Sequence, residues 1–99
     1  MENLDSFEVI DGPEDGIEFS ITRTPVDIGT DPSCGIFLRF DNAIKPVHAR
    51  VAVVSGGYRI RSTSGAPIFI NGRRSGMIWA KIVRSGGIVR VGATSLCLN

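Results

Sequence analysis

Ninety-nine residues make one domain's worth of chain, with no room for a second independent core. Apolar residues form 42% and charged residues 21%, a globular balance that argues against disorder. Ile, Val and Thr supply 26 residues while Leu, Glu and Lys together supply ten, which excludes a helical bundle and argues against a βαβ enzyme. The net charge of +1 conceals a segregation. Residues 1–44 carry ten acids against Arg23 and Arg39, a net −8, whereas residues 45–99 carry nine bases and no acid, a net +9.

The strands read off in chain order. Phe7-Glu8-Val9-Ile10 alternates and runs into Asp11-Gly12-Pro13-Glu14-Asp15-Gly16, which is dense turn chemistry. Ile17, Phe19 and Ile21 share one face of the next run, so the two form a hairpin. Val26-Asp27-Ile28 is a short strand closed by Gly29, and Asp31-Pro32-Ser33-Cys34-Gly35 is a second turn. Ile36, Leu38 and Phe40 then share a face. A loop at 41–46 follows, in which Pro46 steers Lys45 away from helix. From His48 to Val54, Ala49, Val51 and Val53 point inward and Arg50 outward. After Ser55-Gly56-Gly57, Tyr58 and Ile60 point inward, with Arg59 and Arg61 outward. A third loop spans 62–67. Ile68-Phe69-Ile70 leads to Asn71-Gly72, the strongest short hairpin signal in the chain. Trp79 to Val83, Ile88 to Val91 and Thr94 to Leu98 complete the set. About eleven short strands at this spacing predict an all-β sandwich or barrel, with Ile36, Leu38, Ala49, Val51, Val53, Ile60, Val89 and Val91 in its core.

No apolar run approaches the roughly 18 residues that cross a bilayer, and the acidic start Met1-Glu2-Asn3-Leu4-Asp5 is no secretory signal. Cys34 and Cys97 form no CxxC and have no paired histidines, which argues against zinc. One disulfide between them is open; two separately packed thiols in a reducing cytosol is the preferred reading. The charge segregation has two readings as well. The halves attract each other across one sandwich, or a bipolar surface binds an acidic or phosphorylated partner or stacks head to tail.

The order of motifs resembles a forkhead-associated (FHA) domain from about Phe7 to Leu98. The Gly-Arg after the third strand of that family is here Gly29-Thr30, and its Ser-x-x-His-Ala is Lys45-Pro46-Val47-His48-Ala49. Its loop Asn-Gly is Ser64-Gly65, and its later Asn-Gly turn is Asn71-Gly72. Its Gly-Asp-x-Ile-x-Ile-Gly is Gly86-Gly87-Ile88-Val89-Arg90-Val91-Gly92. The resemblance implies an eleven-strand SMAD/FHA-type β-sandwich that reads phosphothreonine peptides through loops at one end. The scaffold residues Gly29, His48, Asn71 and Gly72 match. The reading residues do not: the arginine is Thr30, the serine Lys45 and the asparagine Ser64. A narrower similarity, through Ile28-Gly29-Thr30-Asp31-Pro32, Ile36-Phe37-Leu38 and Ile44-Lys45-Pro46-Val47-His48, is to the cytoplasmic FHA-like domain of type III secretion inner-membrane ring proteins. It implies a cytoplasmic assembly domain, residues 1–99, at the N-terminus of a longer chain that meets the membrane only outside this segment.

No catalytic residue is expected. His48 is the only histidine, no acid follows Asp41, and no G-x-S-x-G, P-loop or dinucleotide fingerprint is present. No cofactor or metal is implied. Lys45, Arg73 and Arg74 are the candidate anion readers, with Arg61 beside the Ser64-Gly65 loop and the Thr30 and Ser64 hydroxyls as donors. Nucleic acid is the weaker reading of the basic half. Arg50, Arg59, Arg61 and Arg90 face outward, but only Tyr58, Phe69 and Trp79 could stack, and alternation puts Tyr58 in the core. Two functions stay open: a non-catalytic protein-assembly module, and a phosphothreonine-peptide reader.

Overall fold

A computed structural model describes residues 5–22, 25–75 and 80–99. Two antiparallel-dominated sheets face each other. One holds six strands in the order β2 (Glu18–Ile21), β1 (Asp5–Asp11), β11 (Thr94–Leu98), β10 (Ile88–Val91), β7 (Ile68–Ile70) and β8 (Arg73–Ser75). The other holds five in the order β4 (Ile36–Phe37), β3 (Val26–Gly29), β5 (Ala49–Val54), β6 (Gly57–Ser62) and β9 (Lys81–Val83). This is the expected all-β sandwich of eleven strands, and the acidic and basic halves of the chain interleave within it. Strand β1 pairs with β11 and β3 with β5.

Period-two alternation builds the core, because successive strand residues point to opposite faces. Phe7 and Val9 of β1, Ile60 of β6, Val89 and Val91 of β10, and Leu96 and Leu98 of β11 are all fully buried. Phe7 and Tyr58 join the two sheets through an edge-to-face contact, with ring centroids 5.0 Å apart and planes at 83°. That geometry adds about 0.5–1.5 kcal/mol to the area the two rings bury.

Three positions leave the alternation. Val53, expected in the core, is 41% exposed. It lies one pair before the end of the β5–β6 hairpin, where Val54 pairs with Gly57. Phe40 is 61% exposed because β4 stops at Phe37 and the chain turns after Leu38. The Arg39 guanidinium lies 5.1 Å from the Phe40 ring. Ile17 precedes β2 and is exposed; its N–H donates to the Glu14 carbonyl, so it belongs to the turn. The expected strand start at Trp79 lies outside the described residues.

Truncating Phe7 removes the edge-to-face contact between the sheets. Phe7→Ala is expected to lower the unfolding free energy by about 3–5 kcal/mol in a urea titration.

Candidate functional site

Strand direction gathers one set of loops at one end of the sandwich. The β3–β4 turn, the β4–β5 loop, the β6–β7 loop and the Gly92-Ala93 turn all lie there, and His48 connects the β4–β5 loop to the β6–β7 loop. Its ring is buried. Nδ1 accepts the Lys45 N–H at 3.2 Å, and Nε2 lies 3.1 Å from the Pro67 carbonyl. A backbone N–H can only donate and a carbonyl can only accept, so this geometry assigns the neutral tautomer with its proton on Nε2. The backbone of His48 continues the junction. Its N–H donates to the Ile28 carbonyl at 2.8 Å, and its own carbonyl receives the Thr63 N–H at 3.1 Å. The Thr63 hydroxyl donates to the Val47 carbonyl at 3.0 Å.

Gly29 sits beneath that junction. A Cβ there would lie 2.0 Å from the Pro46 carbonyl oxygen, so only glycine lets the β4–β5 loop cross so closely. The neighbouring N–H groups of Thr30 and Asp31 then reach the carbonyls of Lys45 and Pro46 at 3.2 and 3.0 Å. Cys34 closes the same corner, its thiol donating to the Pro46 carbonyl at 3.3 Å. Burial, then the nearby Asp27 carboxylate, raise that thiol above its ordinary range.

Asp41 is a second, unforeseen staple. It is buried, and its carboxylate accepts from the Ala43 N–H at 2.9 Å, the Ala93 N–H at 2.8 Å and the Thr94 hydroxyl at 2.7 Å. It thereby ties the β4–β5 loop to the turn between β10 and β11. The signal for it was an aspartate two residues before a free N–H, the spacing of an Asx turn.

The expected reading residues fall into two groups. Thr30, Lys45, Ser64 and Gly65 share the loop end. Thr30 is half-buried. Lys45 is exposed, and among the described residues no carboxylate pairs with it. The Ser64 hydroxyl accepts the Ala66 N–H at 3.3 Å and donates to the His48 carbonyl at 3.5 Å. Asp31 adds a fixed negative charge beside Thr30. Its carboxylate accepts the Ser33 N–H at 2.9 Å and the Ser33 hydroxyl at 2.8 Å, and these bonds lower its pKa.

Arg73 and Arg74, expected with that group, are not there. Strand β7 runs away from the Ser64 loop to the Asn71-Gly72 turn, and the two arginines stand on β8 across from Ile70 and Phe69. Asn71 is locked to the start of β10: its N–H donates to the Ile88 carbonyl at 2.8 Å and its Oδ1 receives the Ile88 N–H at 2.9 Å. Asn71 and Gly72 have φ of 50° and 83°, the left-handed pair a two-residue hairpin turn requires. Arg61 lies on the outer face of β6.

Among the described residues, no group of His, Cys, Asp and Glu gathers to hold a metal, and no helix is long and apolar enough to cross a membrane. The family described as the inner-membrane component of the type III secretion system, cytoplasmic domain, matches residues 8–99. The chain belongs to that family. No match to a curated protein is found. Solved FHA domains share the fold. That of the CT664 protein of Chlamydia trachomatis is 21% identical, with a TM-score of 0.80 over 97% of this chain and 96% of that one. The N-terminal FHA domain of Rad53p from S. cerevisiae, solved with a phosphothreonine peptide, is 12% identical, with a TM-score of 0.80 over 97% and 92%. The FhaA FHA domain, solved with the intracellular domain of Rv3910, is 12% identical, with a TM-score of 0.79 over 96% and 99%. The chain thus has the FHA fold, with the glycine and histidine of the loop end in place.

Two outcomes follow from this architecture. His48→Ala orphans the Lys45 N–H and the Pro67 carbonyl, and Asp41→Ala orphans three donors. Each is expected to cost about 2–4 kcal/mol in urea unfolding, against less than about 0.5 kcal/mol for Lys45→Ala. Thiol reagents should label Cys97 on the native protein and Cys34 only after unfolding. As pH rises past the ordinary thiol range, the unfolded chain ionises Cys34 first while the folded chain keeps its proton. Stability should therefore fall with rising pH there, and Cys34→Ser should flatten that slope.

Proposed function

We propose that this chain is a non-catalytic interaction module in the cytoplasm, part of a membrane-anchored type III secretion assembly, and that its phosphate-reading site is degenerate. Residues 1–99 form one FHA-like unit in this reading, anchored through a region outside it. One observation carries the proposal. Gly29, His48 and their hydrogen bonds hold the loop end in shape, while the side chains presented there are Thr30, Lys45 and Ser64. A forked guanidinium can hold a phosphate through two parallel charged bonds; a threonine hydroxyl cannot. The Ser64 hydroxyl donates to the His48 carbonyl and accepts the Ala66 N–H, and the Asp31 carboxylate repels an incoming dianion.

The alternative is a phosphothreonine-peptide reader. It draws on the exposed Lys45 ammonium, a point charge free to meet a phosphate beside Thr30. Salt screens such an exposed charge, since the Debye length is about 10 Å at 0.1 M.

Titrating a phosphothreonine peptide library against the labelled protein by NMR separates the two. The proposed degenerate site binds no tighter than about 1 mM, and the shifts fade with added salt. The triple variant T30R/K45S/S64N should tighten binding about tenfold or more, because each charged hydrogen bond contributes about 1.5–3 kcal/mol. A micromolar peptide that requires its phosphate and shifts Thr30, Lys45 and Ser64 of the unaltered chain would establish the reader instead.

A further inference from the structure

Strands β8 and β9 are edge strands of their two sheets, and they border one cavity at the side of the sandwich. Cross-strand partners share a face of their sheet. Ser75 stands opposite Ile68, and Arg73 opposite Ile70. Ile68 is fully buried and Ile70 packs against the core, so both β8 side chains turn toward the space between the sheets. On the facing edge Lys81 stands opposite the fully buried Ile60 and turns the same way. Polar side chains from both sheets thus meet at one lateral opening.

The cavity in that opening measures about 380 Å³ and is lined by Ile70, Arg73, Arg74, Ser75, Lys81 and Ile82. Arg74 alternates to the outer face, opposite Phe69. No carboxylate lines the cavity, and among the described residues none of its cations has an ion-pair partner. Ser75 is the decisive group. It is 5% exposed, and its Oγ has no hydrogen-bond partner among the described residues. The other buried polar side chains described, Asp41, His48, Ser62 and Thr94, are all bonded. A buried hydroxyl without a partner is costly. Inward-pointing charges on edge strands guard against edge-to-edge pairing, but that role needs no orphaned hydroxyl beside them.

We propose that this opening binds a phosphate monoester, with the Arg73 guanidinium, the Lys81 ammonium and the Ser75 hydroxyl as donors. A carboxylate offers two oxygens, which one guanidinium already occupies. A phosphate ester offers three terminal oxygens, enough for three separate donors. The phosphate fills part of the cavity, and Ile70 with the 57%-exposed Ile82 gives the rest an apolar wall for a short aliphatic group. A soluble ester and a phospholipid headgroup share this chemistry. Thr30, Lys45 and Ser64 do not line the cavity, so the inference is independent of what the loop end binds.

NMR titrations of the ¹⁵N-labelled chain with hexyl phosphate, inorganic phosphate and hexanoate test it, with urea unfolding of each variant alongside. Hexyl phosphate should saturate with a Kd of about 1 mM or tighter, shifting Arg73, Ser75 and Lys81. Inorganic phosphate and hexanoate should each bind about tenfold more weakly, one lacking the apolar group and the other the third oxygen. R73Q and K81Q, both altering exposed side chains, should each weaken hexyl phosphate about tenfold. S75A separates a binding hydroxyl from a structural one. It should weaken binding about fivefold or more, while its urea midpoint without ligand stays level or rises, because the orphaned group is gone. Vesicles of phosphatidic acid in phosphatidylcholine distinguish the sources. Pelleting of the chain with them, lost in R73Q/K81Q, assigns a lipid headgroup; hexyl phosphate binding without pelleting assigns a soluble ester. Four results would overturn the proposal: no saturable shift of Arg73, Ser75 and Lys81 up to about 20 mM hexyl phosphate, shifts confined to Thr30, Lys45 and Ser64, hexanoate binding as tightly as hexyl phosphate, or S75A binding as tightly as the unaltered chain.

Discussion

The imidazole of His48 is the point on which the loop end depends. It lies buried between two loops that have no strand pairing of their own, and it gives each of them the complementary half of a hydrogen bond. A net hydrogen bond contributes only about 1 kcal/mol, but an orphaned buried partner costs about 1–3 kcal/mol. The constraint therefore acts through what its loss would leave behind. With Gly29 allowing the Pro46 backbone to pass at close range, the loops keep their shape without help from the side chains at their tips. That separation is why Thr30, Lys45 and Ser64 can occupy the reading positions without disturbing the fold.

Charge follows a different logic from packing. The inner faces of both sheets are closed by aliphatic residues and by the Phe7–Tyr58 pair, so the two halves of the chain interleave without needing ionic attraction. Their charges are left on the outer faces, where exposed pairs contribute little to stability. The same charges act at longer range on approaching molecules. A segregation that does little for folding can still orient an assembly.

Much of the fold was legible because strand alternation is a local signal. Thr94 to Leu98 and Ile88 to Val91 match the observed strands residue for residue, and Asn71-Gly72 makes the expected turn. Alternation misled where a strand ended early: Phe40 continues the pattern of Ile36 and Leu38 in sequence but not in space. The loop-end grouping was half legible. Gly29, His48, Thr30, Lys45 and Ser64 converge, because they flank strands that pair side by side. Arg73 and Arg74 do not, because nothing local to them records the direction in which β7 runs. Asp41 was missed for a related reason. Two of its three donors, Ala93 and Thr94, come from more than fifty residues away, and no local pattern announces them.

The direct test of the central claim is the protonation pattern of the His48 ring, read from its ¹⁵N shifts and long-range ¹H–¹⁵N correlations at neutral pH. The account predicts a neutral ring with the proton on Nε2, and an Nδ1 that shares a hydrogen bond with the Lys45 amide. A ring carrying its proton on Nδ1 would set two N–H groups against each other. That result, or a Lys45 amide exchanging with solvent as freely as an exposed loop, would contradict the claim that this imidazole holds the loop end together.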